Sequence, residues 1–144
     1  MFDIDKFLES SADTGSTKFA PIPAGDYTAI IDDAQLRAAG NGVVLDVTCL
    51  LQAPEVAATL GRDKLSVRGG LFLDLTPSNQ LDMGAGKNIR LNRLREAVGL
   101  NKPMPVRDLK DQLKGKTVKV QVTLRPDKNN SDVVYNDIKS FGKA

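Results

Sequence analysis

From Val43 to Leu51 the chain alternates, with Val43, Leu45, Val47, Cys49 and Leu51 on one side of an extended segment and Val44, Asp46, Thr48 and Leu50 on the other. A period of two belongs to a strand with one buried face, because successive side chains of extended backbone point to opposite sides. The period returns twice. Residues 65–75 set Val67, Leu71, Leu73 and Leu75 against Arg68, Phe72 and Asp74, and residues 117–124 set Val118, Val120, Val122 and Leu124 against Lys119, Gln121 and Thr123. Three such segments commit the chain to a β-rich fold. They also place Cys49 in the core rather than at a reactive site.

Two further strands complete the set. Residues 26–31 follow the turn Pro21-Ile22-Pro23-Ala24-Gly25 and lead to a hairpin turn at Ala39-Gly40-Asn41-Gly42, where Gly and Asn tolerate positive φ. Residues 133–141 follow the turn Pro126-Asp127-Lys128-Asn129-Asn130, with Tyr135 in opposite phase to Val134, Asn136 and Ile138. Between the third and fourth strands, residues 87–98 carry the apolar stripe Leu91, Leu94 and Val98 of a helix that ends at Gly99. Residues 106–114 add one or two turns burying Leu109 and Leu113, and residues 55–60 have helical character. The order β-β-β-α-β-β is that of a mainly β fold, the five-stranded oligonucleotide-binding (OB) type barrel with one helix between strands 3 and 4, and other small α+β folds share it. Residues 1–18 read as an N-terminal arm and flexible linker: a short amphipathic turn through Ile4, Phe7 and Leu8, then a polar stretch with nothing to bury. Residues 19–144 form the domain, with Phe19 and Tyr27 expected in its core.

With no histidine and a single cysteine, the chain has no zinc cluster and lacks the usual base of His-dependent catalysis. No apolar run approaches the ~18 residues of a membrane helix. The start, Met1-Phe2-Asp3-Ile4-Asp5, lacks the basic-then-apolar order of a secretory signal, so a cytoplasmic protein is expected. The net charge of +2 is unevenly divided, residues 1–63 carrying 10 acidic and 4 basic side chains and residues 64–144 carrying 8 and 16. A basic half of this kind fits a polyanion-binding face.

Single-strand binding needs flat faces for bases and cations for phosphates. In an OB barrel the ligand crosses strands two and three, between the loops that here span residues 37–42 and 125–131. Phe72, beside Arg68 on the open face, and Tyr135 are the expected stacking platforms. Lys64, Arg68, Lys119 and Arg125 are the expected phosphate contacts. Lys128 in the second loop, Lys87 ahead of the helix, and Arg90 and Arg93 on its flank complete the candidate DNA-binding set. Gly84-Ala85-Gly86-Lys87 invites a phosphate-loop reading, but Leu81 stands where a Walker loop needs glycine and Asn88 where it needs Ser or Thr. Lys87 with nearby amides is left as a plain phosphate contact. The rival is a Mg²⁺-dependent nuclease, since Pro126-Asp127 and Asp137-Ile138-Lys139 match the lettering of a PD-(D/E)xK motif. Asp127 falls in a turn, however, where that motif needs a strand. Asp46 and Asp74, both expected outward, are a weaker carboxylate pair.

Ile22-Pro23-Ala24-Gly25-Asp26-Tyr27, Gly61-Arg62, Arg93-Leu94 with Val98-Gly99-Leu100, Leu113-x-Gly115-Lys116-x-Val118-x-Val120 and Tyr135-Asn136-x-Ile138-x-Ser140-Phe141 together resemble a group of short phage proteins that includes OB-fold single-stranded DNA-binding proteins. The resemblance runs from about residue 20 to 141. It implies a non-catalytic, sequence-tolerant single-stranded DNA-binding protein of phage replication or recombination, working in the host cytoplasm without metal or cofactor. Many such proteins end in an acidic tail that recruits replication partners, whereas this chain ends Lys139-Ser140-Phe141-Gly142-Lys143-Ala144. The acidic, aromatic N-terminal arm around Phe2, Asp3, Asp5, Phe7 and Glu9 is a candidate substitute for docking phage or host replication proteins, and the weaker of the expectations. A protein-interaction module on the same barrel is the alternative reading. Oligomeric state is left open, a homodimer included.

Overall fold

The computed structural model describes residues 1–15, 20–130 and 133–144. Phe19, the expected boundary at residues 18 and 19, and the far end of the 125–131 loop lie outside the described residues. Among the described residues the chain forms strands β1 (Gly25–Ala39), β2 (Gly42–Leu51), β3 (Ser66–Phe72), β4 (Thr117–Pro126) and β5 (Val134–Gly142), and helices α1 (Ile4–Leu8), α2 (Pro54–Leu60), α3 (Ile89–Ala97) and α4 (Val106–Leu113). The fold is mainly β: one open antiparallel sheet in the order β3-β2-β1-β4-β5.

β1 holds this sheet together by serving two partners. Its first half pairs with β4, from Gly25 opposite Val122 to Ile30 opposite Thr117, and its second half pairs with β2 as far as Ala39 opposite Gly42. The expected first strand ended at residue 31. Ala34-Gln35-Leu36-Arg37-Ala38-Ala39 is rich in helix formers, and hydrogen bonding to β2 overrides that propensity. A bulge leaves Asp32 unpaired between Ile31 and Asp33 and gives the long strand its bend. The hairpin turn shrinks to Gly40 and Asn41, Gly40 supplying a φ of 58°.

Two helices, not one, stand between β3 and β4. α3 ends in a Schellman arrangement: the Leu100 amide donates to the Arg95 carbonyl at 2.7 Å and the Gly99 amide to Glu96, with Gly99 at a φ of 76°. α4 carries buried Leu109 and Leu113 four residues apart and packs on β1, while α3 packs Leu91 and Leu94 inward and lies against β5. These leucines join Ile31, Val47, Cys49, Leu71 and the β4 valines in one core, where truncating a leucine to alanine costs ~2–5 kcal/mol. Burial pushes the Cys49 thiol up to about 12, which removes it from nucleophilic chemistry. Tyr27 packs partly buried against this core and donates its hydroxyl to the Pro23 carbonyl at 2.6 Å.

Two details of β4 and β5 depart from simple alternation. Leu124, expected inside, is 47% exposed, because the β1 ladder stops at Val122 and leaves the end of β4 with β5 alone. In β5 the register slips so that Gln121 faces Ser140 while Val122 faces Ile138. The extra residue, Lys139, lets both Ile138 and Phe141 point inward although they are three apart. The sheet's two edges also meet. A Cβ built on Gly69 of β3 would stand 3.0 Å from the Ile138 Cβ of β5 and 3.4 Å from the Phe141 ring, so glycine is what lets the edges approach this closely. Among the described residues no helix is long and apolar enough to cross a membrane.

Candidate functional site

The outward face of β1, β2 and β3 is built from rows of directly opposed residues, which share a face, with Val44 and Asp46 of β2 buried beneath their neighbours. Arg37, Val44 and Phe72 form one row, Gln35, Asp46 and Gly70 the next, and Asp33, Thr48 and Arg68 the third. The β3 face assignment holds: Val67 and Leu71 are buried, while Arg68 and Phe72 are exposed, Phe72 by 78%. Between them Gly70 leaves a shallow trough into which Asp46 and Val44 lean; a Cβ there would lie 3.4 Å from Asp46 Oδ1 and from Val44 Cγ1.

Asp46 is not the solvated carboxylate expected on an outward face. It is buried, and Arg37 donates to it across the strands, Nε to Oδ2 at 2.9 Å and Nη2 to Oδ1 at 3.4 Å. This hydrogen bonding, reinforced by the nearby Arg68 charge, holds the Asp46 carboxyl below its ordinary range. Asp74 has a separate role: its Oδ2 accepts from the Asn88 amide at 2.8 Å. The two therefore do not form a carboxylate pair.

Beyond the edge of β3 lies a groove of about 330 Å³ between that strand and β5. Ser66 and Arg68 line one wall, Arg125, Tyr135 and Asp137 the other, with Arg62, Val67, Val134 and Pro21 among the remaining lining. Arg125 sits 5.0 Å from the centroid of the Tyr135 ring and donates to Asp137 at 2.7 Å. Asn136 fixes the end of the groove by pairing with Ile22 as a strand would, accepting from its amide and donating to its carbonyl, each at 2.8 Å.

The ten candidate residues do not form one surface. Arg68, Arg125 and Tyr135 converge on the groove, and Phe72 stands farther along the same face of β3. Lys128 is exposed in the turn after β4. Lys64 lines a different hollow, with Gln52 and Asp63. Lys119 opposes Gly142, at the far end of the β4–β5 ladder from Arg125 and Tyr135. Lys87 and Arg93 are exposed around α3, and Arg90 donates to the carbonyls of Ile138 and Lys139, each at 3.3 Å, bracing the β5 bulge. Around Lys87 three of the amides are already engaged. Gly84 donates to Asp82, Lys87 to the Gly84 carbonyl and Asn88 to Asp74, so these three are not open to an anion.

Both carboxylates of the nuclease lettering lie around the Arg125–Tyr135 pair and are already engaged. Asp127 Oδ1 accepts from the Asn129 and Asn130 amides and its Oδ2 from the Tyr135 hydroxyl, bonds that hold its carboxyl below the usual range, and Asp137 is ion-paired to Arg125. Sequence reasoning missed Arg37, which it assigned to a loop, and named Arg62 only as part of a motif. Arg37 had no periodic signal in its helix-like stretch. Arg62 had one, because it follows Gly61, whose φ of 65° ends α2 and turns the chain toward β3.

The chain belongs to the family described as "Protein of unknown function (DUF669)", whose sequence model matches residues 8–144. No curated protein matches it in sequence.

Proposed function

We propose that the chain is a sequence-tolerant, non-catalytic single-stranded DNA-binding protein built on an OB-type barrel and acting in phage replication or recombination. The order β3-β2-β1-β4-β5, with its edges touching at Gly69, is the order of an OB barrel opened along the seam between its third and fifth strands. The observation that carries the reading is the groove beside that seam, where Arg68, Arg125 and Tyr135 converge, continued along β3 by exposed Phe72 with Arg37 in its row. Guanidinium groups take phosphates and the rings take bases, each stacked base contributing ~1–3 kcal/mol. The phage setting rests on the resemblance in sequence. A gel shift with a short oligonucleotide at low salt tests the reading, with retardation expected. Adding Mg²⁺ should leave the oligonucleotide intact; cleavage abolished by Asp137→Ala would instead favour the nuclease.

A protein-interaction module is the second reading. It is favoured by an apolar hollow of about 300 Å³ lined by Met83, Pro103, Met104, Val106 and Leu109, with Met83 57% exposed. Absence of any gel shift would favour it.

A further inference from the structure

Among the described residues the N-terminal arm stays outside the core. α1 buries none of its residues, and Phe2, Ile4, Phe7 and Leu8 are 70%, 64%, 59% and 72% exposed. The first thirteen residues carry Asp3, Asp5, Glu9 and Asp13 against Lys6 alone. The chain that tethers this arm returns to the domain at the candidate groove, since Ala20 and Pro21 line it. Eleven residue steps separate Glu9 from Ala20, a tether that reaches at most roughly 37 Å.

Resting on the single-strand reading of that groove, we infer that the arm of the same chain exchanges between this detached position and a docked one in the groove when DNA is absent, and so competes with the strand for it. The chemistry matches on both counts. Arg62, Arg68 and Arg125 meet the arm's carboxylates, and the apolar lining of Pro21, Val67, Val134 and the Tyr135 ring takes its phenylalanines. The tether makes the contact intramolecular. An effective concentration of order 1 mM, with an arm affinity of only about 0.3 mM, weakens apparent DNA affinity about fourfold.

The test uses the full chain and the triple variant Asp3→Asn, Asp5→Asn, Glu9→Gln, whose positions are exposed and outside the core. Backbone amide spectra at low salt without DNA should differ between the two at Ser66, Arg68, Tyr135 and Asn136. The variant should bind oligo-dT about fourfold more tightly, with the gap closing as salt screens the contact. Unchanged groove amides with equal oligo-dT affinity would overturn the inference and leave the single-strand reading intact. Shifts confined to the hollow beside Met83 and Met104 would overturn it in favour of docking there. Shifts in the groove while neither chain binds oligo-dT would overturn both the competition and the single-strand reading.

Discussion

The Arg125 guanidinium stacks over the Tyr135 ring, 5.0 Å from its centroid. The same guanidinium is ion-paired to Asp137, so a phosphate entering the groove competes with a carboxylate already in place. Replacing Arg125 with alanine should weaken oligo-dT binding and make the log-log salt slope shallower by about 0.7, one phosphate's worth. Asp137→Asn should act in the opposite direction and tighten binding at low salt. Fluorescence titrations of the two variants at several salt concentrations check both signs.

Phe72 projects from β3 with 78% of its surface exposed, so it contributes little to the core. Phe72→Ala should leave the melting temperature nearly unchanged and weaken oligo-dT binding by ~1–3 kcal/mol, through loss of one stacked base. A collapse in melting temperature with intact affinity would contradict this placement. Thermal melts and titrations on the one variant supply both readings.

Gly69 has the reverse profile, since its missing side chain is what the seam requires. Gly69→Val should force Ile138 and Phe141 away and cost ~1–3 kcal/mol through overpacking. Chemical denaturation measures that loss. Gly70→Ala, whose Cβ would meet only side-chain atoms, Asp46 Oδ1 and Val44 Cγ1, each at 3.4 Å, should cost much less.

The strands were legible where burial imposes a period of two, as in β3, the end of β2 and most of β4, whereas Val44 to Val47 are buried on both faces. They were not legible where pairing rather than pattern decides. The second half of β1 reads locally as helix and becomes strand only because β2 lies beside it, which is why Arg37 escaped notice. The exposure of Phe72 follows from alternation, but the convergence of Arg68, Arg125 and Tyr135 depends on how β3 and β5 meet, and no local window encodes that. The bulge at Lys139 is equally silent in sequence. It shows only when Ile138 and Phe141 are both found inside.

Asp46 gives the fold a defined acid response. Its carboxyl is held below the ordinary value of 3.8 by the Arg37 hydrogen bond, so the folded chain takes up this proton less readily than the unfolded chain. The stability it adds is therefore present above about pH 4 and lost as the pH falls through the lowered folded value. At neutral pH, Asp46→Asn should destabilise the fold by less than the ~1.5–3 kcal/mol of a hydrogen bond to a charged group, because the Arg37 side chain is more than half exposed. The gap between the two chains should narrow progressively below pH 4. Melting curves of both from pH 7 to pH 2 check the direction.

The central claim is tested most directly by titrating labelled oligo-dT and a duplex of equal length into the full chain from low to moderate salt. The account predicts tighter binding to the single strand and a salt slope of about −2, with Arg37, Arg68 and Arg125 each neutralising one phosphate. Equal or tighter binding to the duplex, or a binding constant indifferent to salt, would contradict it.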